Sequence, residues 1–199
     1  MRVVVNYNRD QSGAAGTVHE ILELDRRAVA ISGDVSQRDR VDSIFDQLLK
    51  SFGHLDILVN NAGIQTWKPL LELAESDWDS VIATNLKGCF LCTQLAARHM
   101  QGAGGAIVNI GSGCNKWPFP NLVDYTASKG GIEMLTKVAA VELGRYRIRV
   151  NCVAPGAIEI ERTKADLGDY AGTWSKLTLL RRIGTPARGR QGGGLSGQR

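Results

Sequence analysis

Residues 55–63 read LDILVNNAG, an apolar run followed at once by a polar turn that ends in glycine. An apolar stretch without alternation, here Leu55–Asn60, is typical of a strand covered on both faces of a parallel sheet. The turn Asn61-Ala62-Gly63 then lies at the carboxyl end of that strand, the edge at which such sheets bind ligands. The stretch therefore predicts an α/β fold with its functional groups along one edge.

Strand-like and helix-like segments alternate on both sides of this stretch. Short apolar or β-branched runs occur at 3–7, 28–31, 106–110 and 148–153. Apolar residues recur at helical spacing in four segments. These lie at 11–26, after a capping-box pattern at Ser36-x-x-Asp39, after Ser76-x-x-Asp79, and at 123–143. This alternation predicts parallel strands joined by helical crossovers in an α/β sandwich.

Composition narrows the class of protein. The 199 residues suit one domain, and 43% of them are apolar. No apolar run approaches the roughly 18 residues of a membrane helix, and the first residues do not resemble a signal peptide, so the sequence predicts no membrane association and a cytoplasmic location. The 24 Lys+Arg and 20 Asp+Glu residues give a net charge of +4, too slight to indicate a nucleic-acid partner.

The four cysteines give no metal-binding pattern. Cys89-x-x-Cys92 has no second Cys or His pair at ligand spacing, and Cys114 and Cys152 are scattered. The pair lies in an apolar helical stretch, where free cysteine packs as a small hydrophobe. We therefore favour a core role over a zinc or redox role.

The strongest chemical signal is Tyr125-Thr126-Ala127-Ser128-Lys129. A spacing of four places Tyr125 and Lys129 on one helix face, where the amine favours the phenolate and makes the phenol a usable acid or base. Ser112, thirteen residues upstream, follows the strand at 106–110 and could hydrogen-bond the oxygen that Tyr125 protonates. An amphipathic helix with a solvated lysine is the alternative explanation of the pair taken alone.

Further patterns accompany this pair. Asn60-Asn61-Ala62-Gly63, Asn85 within a long helix, Asp34-Val35 and Pro155-Gly156 occur in the order and spacing of the short-chain dehydrogenase/reductase family. From about Arg2 to Ala187 the chain resembles that family. The resemblance implies a Rossmann-like doubly wound parallel sheet and NAD(P)-dependent hydride transfer between nicotinamide and a carbonyl or alcohol. It also implies a homo-oligomer.

The resemblance implies a role for each matching residue. Tyr125 would donate or accept the proton, Ser112 would orient the substrate oxygen, and Lys129 would tune Tyr125 and bind the nicotinamide ribose. Asn85 would hold a proton-relaying water, with a polar helix kink as the alternative. The other residues would line the cofactor: Asp34 and Val35 beside adenine, Asn61, Ala62 and Gly63 along its ribose, and Pro155, Gly156 and Ile158 around nicotinamide.

The choice between NAD and NADP depends on the residues after the first strand. An acid there binds the ribose 2′-hydroxyl of NAD, whereas an arginine suits the 2′-phosphate of NADP. The sequence is Asn6-Tyr7-Asn8-Arg9. Arg9 therefore favours NADP or dual use, and a solvated turn residue is the alternative.

The substrate is less constrained. The segments around Tyr125 and Pro155 resemble bacterial glucose 1-dehydrogenases and 3-oxoacyl-carrier-protein reductases, and Glu159 and Glu161 slightly favour a polyol over an acyl thioester. Trp67 and the segment Trp117-Pro118-Phe119 are candidates to flank the substrate or to serve as ordinary packing.

The chain also departs from the family pattern. Relatives begin with a strand and a glycine-rich turn that binds the pyrophosphate, whereas this chain starts at what should be their second strand. Gly13 and Gly16 lie in the following helix, and we assign them no phosphate role. We therefore expect an incomplete Rossmann-type domain over 1–187, without the family's first and last strands and with a cleft between two half-sheets.

The tail, 188–199, has five Gly and three Arg and no acid or aromatic residue. Its composition predicts disorder, and we interpret it as the product of a frameshift, with a natural flexible tail as the alternative.

Two further hypotheses follow for the whole chain. One is an inactive remnant that has lost dinucleotide binding, and the other is a partner that pairs with a full-length relative.

Overall fold

A computed structural model describes residues 1–160, 169–178 and 180–186. The predicted tail and Glu161 lie outside the described residues. The strands are β1 (Arg2–Tyr7), β2 (Arg27–Ser32), β3 (Ile57–Asn60), β4 (Gly105–Ile110) and β5 (Ile148–Val153), and the α-helices are α1 (Gln11–Glu23), α2 (Arg38–Phe52), α3 (Glu75–Val81), α4 (Gly88–Met100), α5 (Val123–Leu143) and α6 (Tyr170–Leu177).

All strand pairs are parallel, which confirms the predicted class. In the described residues the strands form two sheets, β1–β2 and β3–β4–β5. The two half-sheets expected from the family pattern are therefore present. One main-chain edge of β1 and one of β3 have no partner strand in the described part of the chain.

One apolar core joins three helices to both sheets. It contains Phe45 of α2, Met100 of α4 and Ala139 of α5, packed against Ile31 and Ile107 of the strands. This core fixes the carboxyl ends of the strands relative to the helices that follow them.

The prediction that the strand at 55–60 is covered on both faces is wrong for the described residues. Ile57 and Val59 are 59% and 53% exposed, while Leu58, on the opposite face, packs against the core. The reason is that α4 packs on the Leu58 face only, through contacts such as the Asn60–Thr93 hydrogen bond.

The predicted capping box is also wrong. Gln37 is the N-cap of α2 and makes no side-chain cap hydrogen bond. The Ser36 amide instead donates to Asp34 Oδ1 at 2.9 Å, because an aspartate readily accepts from the amide two residues on. Helix α1 in turn ends before the predicted Arg26, since Asp25 has a left-handed φ of 55°.

Between α3 and α4 the helix continues through a π-helical turn, Ile82–Lys87. Such turns widen the helix locally and often occur at functional sites. This one contains Asn85, which is only 1% exposed. The tertiary fold thus places the predicted helix kink against the site described next.

No helix within 1–160, 169–178 and 180–186 is both long and apolar enough to cross a membrane.

Candidate active site

Lys129 is the centre of the candidate site. Its side chain is buried on α5 and only 4% exposed, and its Nζ donates a 2.7 Å hydrogen bond to the carbonyl of Ile110 at the end of β4. Nζ lies 5.5 Å from the centroid of the Tyr125 ring. Burial lowers the pKa of Lys129, because a charged amine is less stable away from water.

Ser112 begins the turn after β4, close in sequence to Ile110, whose carbonyl binds Lys129. It follows β4, is buried, and its Oγ accepts the Cys114 amide at 3.2 Å. The turn that Ser112 starts is bound to α5, since Asn115 Nδ2 donates to the Lys129 carbonyl and to Glu133, each at 3.1 Å. The strand end and α5 are therefore connected by specific polar contacts.

Asn85 connects the π-helical turn to two other parts of the site. Its Nδ2 donates to the Ile64 carbonyl at 2.9 Å and to Ser128 Oγ at 3.0 Å, and its Oδ1 accepts the Ile64 amide at 2.8 Å. Both amide hydrogens of the side chain are thus used within the protein. This bonding holds the loop after β3 against α5 and leaves only acceptor capacity for a water molecule.

A second pair of contacts reinforces that loop. The Thr66 hydroxyl donates to the buried Asp124 carboxylate, whose other oxygen accepts the Tyr125 amide at 2.7 Å. The Lys68 amide donates to the Asn121 carbonyl at 3.1 Å. Sequence analysis did not single out Thr66 or Asp124, although an acid directly before Tyr125 was a visible signal.

The residues predicted for nicotinamide follow β5. The Pro155 carbonyl accepts the amide of Gly113 at 2.9 Å, so this loop lies against the turn that Ser112 begins. Gly156 has open space where a side chain would start. Ile158 forms a parallel bridge with Gly184. The structure therefore brings Pro155 and Gly156 to the same edge as Ser112, while Ile158 pairs with Gly184.

The residues predicted for the adenosine end meet after β1 and β2. Burial raises the pKa of Asp34, but hydrogen bonds from Ser36 and Asn8 and the positive charge of Arg9 outweigh it, so that pKa is lowered overall. Val35 packs closely against Gly88, where an added Cβ would lie 2.8 Å from Val35 Cγ2.

These residues fit a nicotinamide dinucleotide at two of its parts. A Cβ on Gly63 would lie 3.4 Å from Asn85 Oδ1 and 3.7 Å from Lys129 Nζ, so the missing side chain leaves room beside the amine. Lys129 has three N–H donors, and Ile110 accepts one, which suits a ribose diol. Asn61 and Ala62 are exposed beside Gly63. In the described chain no glycine-rich turn faces the pyrophosphate, since Gly13 and Gly16 lie within α1.

Cys89 and Cys92 pack in the core, as the sequence predicts. Cys89 and Cys92 are buried in α4, and burial raises their pKa values to about 11 and about 12. Both thiols are therefore protonated and poorly nucleophilic near neutral pH.

Comparison with known proteins agrees with this geometry. Residues 1–170 match the family model for short chain dehydrogenases. The chain is 42% identical over 160 residues to 3beta-hydroxysteroid dehydrogenase 1 of Eggerthella lenta, covering 79% of this chain and 61% of the relative. It is 39% identical over 164 residues to glucose 1-dehydrogenase 2 of Bacillus subtilis, covering 81% and 64% respectively. The chain thus spans less than two thirds of each of these relatives.

A solved structure agrees as well. A putative short-chain alcohol dehydrogenase from Sinorhizobium meliloti 1021 superposes with a TM-score of 0.87 at 36% identity, covering 98% of this chain and 77% of that one. A family match over most of the chain, together with this structural agreement, shows common descent. The chain belongs to the short-chain dehydrogenase family.

Proposed function

We propose that this site performs hydride transfer between a nicotinamide dinucleotide and a carbonyl or alcohol substrate. The observation that carries the proposal is the buried Lys129 amine held 5.5 Å from the Tyr125 ring, beside the turn that Ser112 begins. When bound, NAD(P) supplies or accepts the hydride. The chain's own residues supply orientation and the proton.

In the reductive direction, the Tyr125 hydroxyl donates a proton to the substrate oxygen, and the Ser112 hydroxyl donates a hydrogen bond to the same oxygen. The positive charge of Lys129 favours the phenolate that remains on Tyr125. Asn85 and Asp124 keep this arrangement in place by holding the loop after β3 against α5.

For the cofactor we propose NADP, with NAD as the alternative. Arg9 follows β1, and its charge acts on the Asp34 carboxylate at the predicted adenosine end. A guanidinium in this place suits a 2′-phosphate.

We further propose that residues 1–187 form one domain and that the protein is located in the cytoplasm.

We also propose a homo-oligomer. A groove of about 350 Å³ lies between α4 and α5, and its lining combines two exposed apolar residues, Phe90 and Val138, with charged residues such as Arg98 and Glu142. Val141 and Met134 continue this apolar surface along α5. A second copy of the chain, packed helix against helix, would cover it.

A second candidate function is an inactive remnant. It is favoured by the two separate sheets, whose strands β1 and β3 each have an edge without a partner strand in the described residues. The sugar and acyl-thioester substrates suggested by the sequence both stay predictions, because Ser112 and Tyr125 would treat either carbonyl alike.

Nicotinamide fluorescence distinguishes these functions. We expect saturable binding of NADPH, tighter than that of NADH, and reduction of a carbonyl substrate. Tyr125→Phe should lower kcat by about 10²- to 10⁴-fold while leaving NADPH binding intact, and Tyr146→Phe, outside the site, serves as the control. Absence of saturable binding to either nucleotide would support the remnant instead.

A further inference from the structure

Four aromatic side chains form a continuous cluster, which we call the aromatic wall: Trp67, Phe119, Tyr170 and Trp174. Phe119 and Trp174 stack with ring centroids 4.2 Å apart, and Trp67 lies 6.2 Å from Phe119. Tyr170 lies 5.9 Å from Trp174. All four are partly buried, so each ring packs on its neighbours and still presents surface. The wall joins the loop after β3, the segment before α5, and α6.

The wall adjoins the proposed catalytic residues. Phe119 lies in the segment that leads into α5, and the Lys68 amide, next to Trp67, donates to the Asn121 carbonyl at 3.1 Å. The same loop that carries Trp67 is bound to α5 through Thr66 and Asp124. The Trp67 and Phe119 end of the wall therefore lies beside the start of α5, the helix that carries Tyr125.

Trp117 is not part of the wall. It precedes Phe119 by two positions but is 70% exposed. Of the aromatic residues that the sequence offered as substrate-flanking candidates, Trp67 and Phe119 are thus in the cluster and Trp117 is outside it. Tyr170 and Trp174 were not among those candidates, because nothing in their local pattern connects α6 with α5.

The chemistry of the wall favours an apolar ring. The polar atoms of its four side chains are two indole N–H groups and one phenol. A polyol against this surface would lose water at several hydroxyls without new partners, whereas a flat apolar ring gains contact area.

We propose that the substrate of this site is a fused or bulky ring carrying a ketone or secondary alcohol, with its ring face on the aromatic wall. This inference rests on the proposed function. In reduction, the carbonyl carbon gains a hydride from NAD(P)H, the carbonyl oxygen gains the proton of Tyr125, and NAD(P)⁺ is left. The Tyr125 proton is restored from water.

The test is calorimetric titration of the whole chain with three probes: 2-decalone, which is a fused-ring ketone, the open-chain 2-decanone with the same number of carbons, and D-glucose. We expect 2-decalone to bind about tenfold more tightly than 2-decanone, since the rigid ring loses less conformational freedom. We expect D-glucose to bind more weakly than either. Tighter binding of glucose, or equal binding of the two ketones, would overturn the proposal.

Trp67→Ala should weaken 2-decalone binding by about three- to tenfold through loss of one ring face. Trp117→Ala is the matched control and should change binding by less than about twofold. If Trp67→Ala loses its native circular dichroism spectrum, Trp67→Leu keeps apolar volume without the ring and should show the same weakening. An equal effect of the Trp67 and Trp117 variants would contradict the assignment.

Turnover separates this inference from the proposed function. If 2-decalone binds but no NADPH-dependent reduction of any carbonyl occurs, the proposed function fails and the wall assignment stands. If reduction occurs with glucose-type substrates in preference to ring ketones, the wall assignment fails and the proposed function stands.

Discussion

Lys129 shows how one residue combines a chemical role with a structural cost. Its amine is buried next to Tyr125, and burial lowers its pKa from the ordinary value of 10.5. A lowered amine pKa means that the unfolded chain holds the proton more tightly than the folded chain. The charged side chain therefore opposes folding at every pH below its folded pKa.

We expect Lys129→Met to raise the free energy of unfolding by about 1 kcal/mol at neutral pH while abolishing turnover. The stability gain should shrink as the pH rises toward 10.5, because the wild-type amine then becomes neutral in the unfolded chain too. Urea unfolding at several pH values measures this difference in the free energy of unfolding between the variant and the wild type. Lys50→Met, at an exposed position on α2, is the control. A variant less stable than the wild type would show that the hydrogen bond to Ile110 outweighs burial of the charge.

At the scale of elements, the site depends on close approach between segments distant in sequence. Gly88, the first residue of α4, lets that helix contact the loop after β2. An added Cβ would lie 2.8 Å from Val35 Cγ2 and 3.1 Å from the Val35 carbonyl oxygen. Gly130 on α5 offers a contrast, since a Cβ there would meet nothing within 4 Å.

Gly88→Ala should therefore destabilise the fold by about 1–3 kcal/mol, since backbone must move to accept the methyl group. Gly130→Ala should stabilise it by up to about 1 kcal/mol, because alanine favours a helix interior. Chemical denaturation of the two variants side by side makes the comparison. Equal effects would show that the approach of α4 to Val35 is not tight.

The contact between α5 and the turn after β4 should respond to acid. Hydrogen bonds from Lys137, Asn115 and Lys116 lower the pKa of Glu133 to about 2. A carboxyl group with a lowered pKa stabilises the fold above its unfolded pKa, near 4.5, and this contribution disappears as the pH falls to about 2.

Glu133→Gln should consequently be less stable than the wild type at pH 7, and the difference should narrow between pH 4.5 and 2. Thermal unfolding across that range follows it. Glu142→Gln, on the same helix, provides the comparison. A difference that is independent of pH would exclude a contribution from ionised Glu133.

At the scale of the whole molecule, two surfaces stand out. One is the exposed side of β3, where Ile57 and Val59 are uncovered beside an unpaired strand edge in the described chain. The other is the apolar groove between α4 and α5. Exposed apolar surface of this kind promotes association.

We expect Val138→Arg to shift the protein to monomers, because the longer charged side chain would have to lose water in the groove between α4 and α5 and would obstruct close packing of the two copies. Sedimentation velocity measures the change. Lys50→Arg, on α2 and away from this groove, should leave the assembly unchanged. Oligomers that persist in Val138→Arg would place the interface elsewhere, with the open side of β3 as the next surface to vary.

The sequence alone determined the strand and helix order, the parallel class and the identity of the family, because periodicity and the spacing of Ser112, Tyr125 and Lys129 are local properties of the chain. Only the tertiary structure decided three contacts. Asn85 hydrogen-bonds to Ile64 and Ser128, Asp124 accepts a hydrogen bond from the Thr66 hydroxyl, and Trp174 stacks on Phe119. Those contacts join residues that are far apart in sequence, so only packing of the elements brings them together. The uncovered face of β3 was likewise decided by the tertiary structure. An apolar run shows that burying the strand is favourable, but it does not show which element covers each face.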